Sequence, residues 1–274
     1  MPLIGCGTAG LQGDICTEVV QRALKIGYRH IDTANLYNNH TAIKKAIINS
    51  RIPREEIFLT SKIWWGDMSY NKVISQTEET LRDLGTSYLD LLLIHWPNHF
   101  IPLSHTLNAL NKLYSEGKVN HIGVSNFSIR LVKKAISLSK IPLYTNQVEF
   151  HPYLYQKKLL HFCDRNKIFI TAHSPNMRGA LSGKVLSEIA RRKNKSINQI
   201  SLKWTIQKGV RVIPSSRIDS HLRENFDLFD FELNKEEVDT IDNLGMSKRV
   251  IPLIKTELKL PIEFLYKKFY RRER

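Results

Sequence analysis

Eight times along this chain a short β-rich run is followed by an amphipathic helical stretch, and no hairpin turn separates any two runs. The runs fall at 2–7, 28–31, 57–61, 89–94, 119–124, 144–148, 168–172 and 210–213. Helical patterns follow at about 19–24, 39–49, 73–84, 103–115, 128–139 and 156–166. The long interval before the eighth run holds two more, 181–193 and 197–207. A last helix starts at Asn234, where Glu237 completes the spacing of a capping box. Gly27 and Gly85 stand where helices stop, the place for a left-handed residue. The run 89–94 is apolar apart from Asp90, as a strand covered on both faces must be. Strands that alternate with helices pair in parallel, and eight such units predict a (β/α)8 TIM barrel of class α/β. An open doubly wound sheet is the alternative, but it normally brings a G-x-G-x-x-G turn, which this chain lacks.

The 274 residues suit one domain, 1–274, since such barrels run to about 250 residues. The stretch 245–274 fits no further unit and is broken by Pro252 and Pro261. It is expected to be a C-terminal extension, either a loop over the barrel mouth or a frayed tail. No segment approaches the roughly 18 apolar residues of a membrane span, and Met1-Pro2-Leu3-Ile4 opens no secretory pattern. Cys6, Cys16 and Cys163 are odd in number and widely spaced, which suggests neither disulfides nor zinc and makes a reducing cytoplasm the simplest compartment. The net charge of +15 favours anionic ligands, yet the basic residues are scattered over polar helix faces. No specific nucleic-acid partner is therefore expected.

In a barrel the C-terminal strand ends carry the chemistry. Asp32 is expected to end the second strand, Lys62 the third and His95 the fourth, while Tyr37 lies in the loop just beyond Asp32. A phenol with a pKa of about 10 is a poor acid at neutral pH. A neighbouring ammonium lowers that barrier and a carboxylate holds the ammonium in place. A neutral His95 beyond the tyrosine could orient a carbonyl. Each of these residues alone is as often structural as functional; their coincidence at successive strand ends favours a general-acid site for an oxygen that gains negative charge. His95 and His99 have zinc-like spacing, but Pro97 forbids a regular helix between them, and no metal is expected. Trp64 and Trp96 flank the same ends, as core or as walls for a small substrate.

The segments 27–34 (GYRHIDTA), 61–64 (SKIW), 94–97 (IHWP), 123–127 (GVSNF) and 213–216 (IPSS) resemble the aldo-keto reductases, and the resemblance runs from about residue 3 to residue 245. The form of 212–216 is most similar to the bacterial 2,5-diketo-D-gluconic acid reductase B (methylglyoxal reductase) branch. The resemblance implies a monomeric oxidoreductase that reduces small aldehydes and ketones, such as methylglyoxal or 2,5-diketo-D-gluconate, with NADPH in preference to NADH. Tyr37 would be the proton donor, Lys62 and Asp32 its tuners, and His95 the residue that positions the carbonyl, with Trp64 and Trp96 beside the substrate. Ser125, Asn126 and Gln147 would hold the nicotinamide amide, and Gly7 and Thr8 would lie near its ribose, close to Asp32. Ser174 and Pro175, then Ser215, Ser216 and Arg217, would line the phosphates, and Glu224 and Asn225 the adenine.

Three positions depart from the family pattern. Ser215 and His221 stand where many relatives have Lys and Arg to grip the 2′-phosphate, a contact Arg217 could supply instead. His173 replaces a Tyr that stacks on the nicotinamide, so stacking there is weaker.

Overall fold

The structure, a computed structural model, describes residues 1–176 and 181–244; the expected extension at 245–274 lies outside the described residues. Among them, eight parallel strands follow one another in sheet order as they do in sequence: β1 (Cys6–Gly7), β2 (His30–Asp32), β3 (Phe58–Ile63), β4 (Leu91–Ile94), β5 (Ile122–Ser125), β6 (Leu143–Glu149), β7 (Phe169–His173) and β8 (Arg211–Val212). The sheet closes on itself. Ile4 bridges Val212, and Gly5 donates to the Val212 carbonyl while Val212 donates back to Leu3.

Helices α1 (Gly13–Ile26), α2 (His40–Ser50), α3 (Tyr70–Leu84), α4 (Leu103–Ser115), α5 (Ile129–Leu138), α6 (Lys157–Arg165), α7 (Lys184–Lys193), α8 (Ile197–Gln207), α9 (Asp219–Phe226) and α10 (Lys235–Asp242) form the outer layer. Most of them bury an apolar stripe; on α3 it is Val73, Leu81 and Leu84, with Thr77 and Thr80 beside them. Gly85 ends α3 at φ +65°, a left-handed conformation that returns the chain to β4 and that a Cβ would strain. The capping box on α10 forms in both directions between Asn234 and Glu237.

Two differences from the sequence pattern stand out. Helix α9 was absent from it, because eight residues with only Leu222 and Asn225 buried carry little amphipathic signal. The strand bounds also differ from those of the apolar runs. β2 ends at Asp32 as expected, whereas β3 runs one residue past Lys62 to Ile63 and β4 stops at Ile94, one residue short of His95. Regular pairing thus carries the polar residues to the mouth on rigid backbone.

Candidate active site

The loop after β2 is braced before it carries anything. Asn35 opens a short 3₁₀ turn that ends at Tyr37, and its side chain bonds Gln76 and Thr80 on α3. Asn39, 1% exposed, receives the Thr33 hydroxyl and donates to the carbonyls of Thr8 and Leu11. Thr8 spends both its amide and its hydroxyl on the Asp32 carbonyl. These bonds tie the loops beyond β1 and β2 together and aim Asp32 and Tyr37 into one cleft.

At the floor of that cleft Lys62, 1% exposed, donates to Asp32 Oδ1 at 2.5 Å and to the Thr33 carbonyl at 2.8 Å. Gln147 Nε2 holds the other carboxylate oxygen at 2.8 Å. The ammonium lies 5.1 Å from the centre of the Tyr37 ring. Burial lowers the Lys62 pKa, while the charge of Asp32 and its hydrogen bond push back. Tyr37 meets His95 edge-on with ring centres 5.7 Å apart, and Trp64 packs on the other side of His95 at 5.4 Å. Burial, then the Lys62 ammonium and His173, hold the His95 pKa well below its ordinary value, so the imidazole is neutral at pH 7.

The cleft has a volume of about 400 Å³ and runs from this floor toward the loop after β8. It is lined by Asp32, Tyr37, His95, Trp96, Ser125, Asn126, Gln147, His173, Ser174 and Pro175, then by Gly7, Ser215, Ser216, Arg217, His221 and Asn225. Of the residues named from the sequence, Lys62 sits beneath the lining, Trp64 behind His95, Thr8 behind Asp32, and Glu224 outside it. Ala9, Leu11, Asn176, Asn198, Ile213 and Pro214 also line the cleft, and sequence reasoning missed them. Ile213 and Pro214 fell within a quoted motif; Asn198, on α8, carried no signal.

Two lining residues hold left-handed backbone, Asn126 at φ +63° and Ser174 at φ +51°. For a serine this conformation costs on the order of 1 kcal/mol, a strain that gathers at functional sites. At the outer end the Arg217 guanidinium donates to the Gly10 carbonyl at 2.9 Å, clasping the loops beyond β1 and β8. The lining therefore offers amide and hydroxyl groups at the floor and the Arg217 guanidinium at the outer end. That donor set fits an elongated anionic dinucleotide with a carboxamide at one end. Chemically, an acid backed by an ammonium, beside a neutral imidazole, can protonate an oxygen that is gaining charge.

Residues 4–245 match the model of the aldo/keto reductase family. The chain is 43% identical to a glyoxal reductase of Bacillus subtilis (strain 168) over 254 residues, 92% of each chain. It is 36% identical to methylglyoxal reductase DkgB of Escherichia coli O157:H7 over 255 residues, covering 92% of this chain and 96% of that one. Among solved structures, an aldo-keto reductase of Bombyx mori in complex with NADP superposes with a TM-score of 0.85 at 31% identity, over 92% of each chain.

Proposed function

The chain belongs to the aldo/keto reductase family, and from that premise we propose that it reduces small aldehydes and ketones, dicarbonyls such as methylglyoxal among them, with NADPH. The relatives named for glyoxal and methylglyoxal reduction support the substrate class. The single observation that carries the mechanism is the buried Lys62 ammonium, fixed on Asp32 beside the Tyr37 ring at the cleft floor.

A reduced nicotinamide, when bound, supplies hydride to the carbonyl carbon. Tyr37 gives its phenolic proton to the carbonyl oxygen. Lys62 stabilises the phenolate left behind, and Asp32, held by Gln147 on its second oxygen, keeps the ammonium from swinging away. His95, neutral because it is buried, steers the carbonyl oxygen toward the phenol without competing as the acid. Trp96 lines the cleft with Tyr37 and His95 and would form a wall beside a small substrate. Arg217 is a cation available to the 2′-phosphate, which supports NADPH over NADH.

Replacing Tyr37 with Phe removes the proton and leaves the cleft shape. Turnover of methylglyoxal should fall by about 10²–10⁴-fold, while NADPH affinity measured by fluorescence quenching stays close to that of the parent. A variant that turns over as fast as the parent sinks the mechanism.

A further inference from the structure

His173 ends β7 and lines the cleft. Its Nε2 is 3.0 Å from Asn126 Oδ1, and its Nδ1 is 3.3 Å from the Ser174 hydroxyl. Asn126 turns its amide nitrogen to the His95 carbonyl at 3.1 Å and to Ser125 Oγ at 3.0 Å, so its oxygen must face His173. A carboxamide oxygen only accepts, which makes Nε2 the donor and leaves Nδ1 to accept from Ser174. On protonation Nδ1 becomes a donor, and the serine hydroxyl can rotate to accept. Neither charge state of His173 breaks either of these two hydrogen bonds.

We propose that His173 is a charge-selecting residue, whose protonation disfavours the oxidised, cationic nicotinamide relative to the reduced, neutral one. The inference rests on the reductase reading above. Hydride delivery beside Tyr37 and His95 places the nicotinamide at the inner end of the cleft, where His173, one hydrogen bond from Asn126, also lies. An imidazolium there repels a pyridinium in a pocket partly shielded from water, and it leaves the dihydropyridine unaffected. Mild acid therefore hastens release of the spent cofactor and biases the enzyme toward reduction.

Other charges surround this position. Asp32 and Lys62 offset each other at the floor, with Tyr37 and the neutral His95 beside them. Glu149 pairs with His173 in register on β6; it is buried and bonds His151. Arg217 and His221 line the cleft beyond β8. His221 is a second imidazole in the cleft lining, so the test must separate it from His173.

The dissociation constants of NADP⁺ and NADPH, measured by fluorescence between about pH 5.5 and 8.5, spanning the ordinary range of a histidine, supply that test. The ratio Kd(NADP⁺)/Kd(NADPH) should rise about fivefold or more on acidification for the parent, since one full repulsion in a half-shielded site is worth at least that factor. In His173→Gln, which retains an N–H donor for Asn126 but cannot charge, the ratio should be flat. His173→Tyr serves as a second uncharged variant. 2′,5′-ADP lacks the nicotinamide; its pH dependence reports on His221 and Arg217 and should be the same in the parent and both variants. A flat ratio in the parent overturns the inference alone, as does an undiminished rise in both variants. Failure of the parent to bind either dinucleotide at any pH overturns the reductase reading and this inference with it.

Discussion

The two ends of the barrel each hold a buried imidazole, and they differ in what surrounds it. His95 at the C-terminal end and His30 at the N-terminal end each have an Nδ1 without a partner among the described residues. Burial is the main cause of a lowered pKa in both; for His30 it falls to about 3, helped by the N-terminal amine, Lys62 and Arg211. Yet His95 opens onto the cleft beside Tyr37, whereas His30 is 1% exposed and closed in. His30 Nε2 bonds the Thr60 hydroxyl at 3.0 Å, and its ring lies against Gly5, where an added Cβ would come within 2.4 Å of Nδ1. A perturbed titration marks burial, and only access to a cavity turns it into chemistry.

Lys62→Met should produce the largest effect at the active end. Asp32 is left buried without its counter-charge, so stability drops by about 3–5 kcal/mol in urea titrations. Methylglyoxal turnover drops by at least about 10²-fold as the phenolate loses its support. Adding Asp32→Asn to Lys62→Met should restore most of the stability and none of the turnover. Recovered turnover would mean that the ion pair serves only the fold.

Gly5→Ala at the opposite end should do the reverse. The new methyl pushes on His30 in a packed wall, lowering stability by about 1–3 kcal/mol, while kcat/KM stays close to the parent value. A large loss of turnover would show that the two ends are mechanically coupled.

The smallest effect is that of pH on the closed end. Between the ordinary histidine pKa and about 3, the unfolded chain binds a proton that folded His30 refuses. The stabilisation is complete above about pH 6.5 and is lost as the pH falls, with a slope of at most about 1.4 kcal/mol per unit. His30→Gln should flatten the acid side of the urea midpoint against pH. An unchanged slope would assign acid sensitivity to other groups.

Much of this was legible before the structure. The alternation of runs predicts the parallel barrel because each unit writes its own period locally, and the strand-end rule then singles out Asp32, Lys62 and His95, with Tyr37 just beyond. What stayed hidden is of a different kind. Trp64 and Trp96 read alike in sequence, but Trp96 lines the cleft and Trp64 backs His95. Glu224 and Asn225 are adjacent, yet only Asn225 lines the cleft, because α9 turns the two side chains apart. Asn39, which anchors the loops beyond β1 and β2, stands in no strand and ends no run.

The sequence by itself determined the order of the strands and set Asp32, Tyr37, Lys62 and His95 near their C-terminal ends, since both follow from spacing within about ten residues of a strand end. Only the tertiary structure decided how that group is held. Gln147 reaches Asp32 across 115 residues of chain, and Asn126 joins His173 to the His95 carbonyl across 47 and 31. Such partners share no local period, and closure of the barrel is what brings them within hydrogen-bond reach.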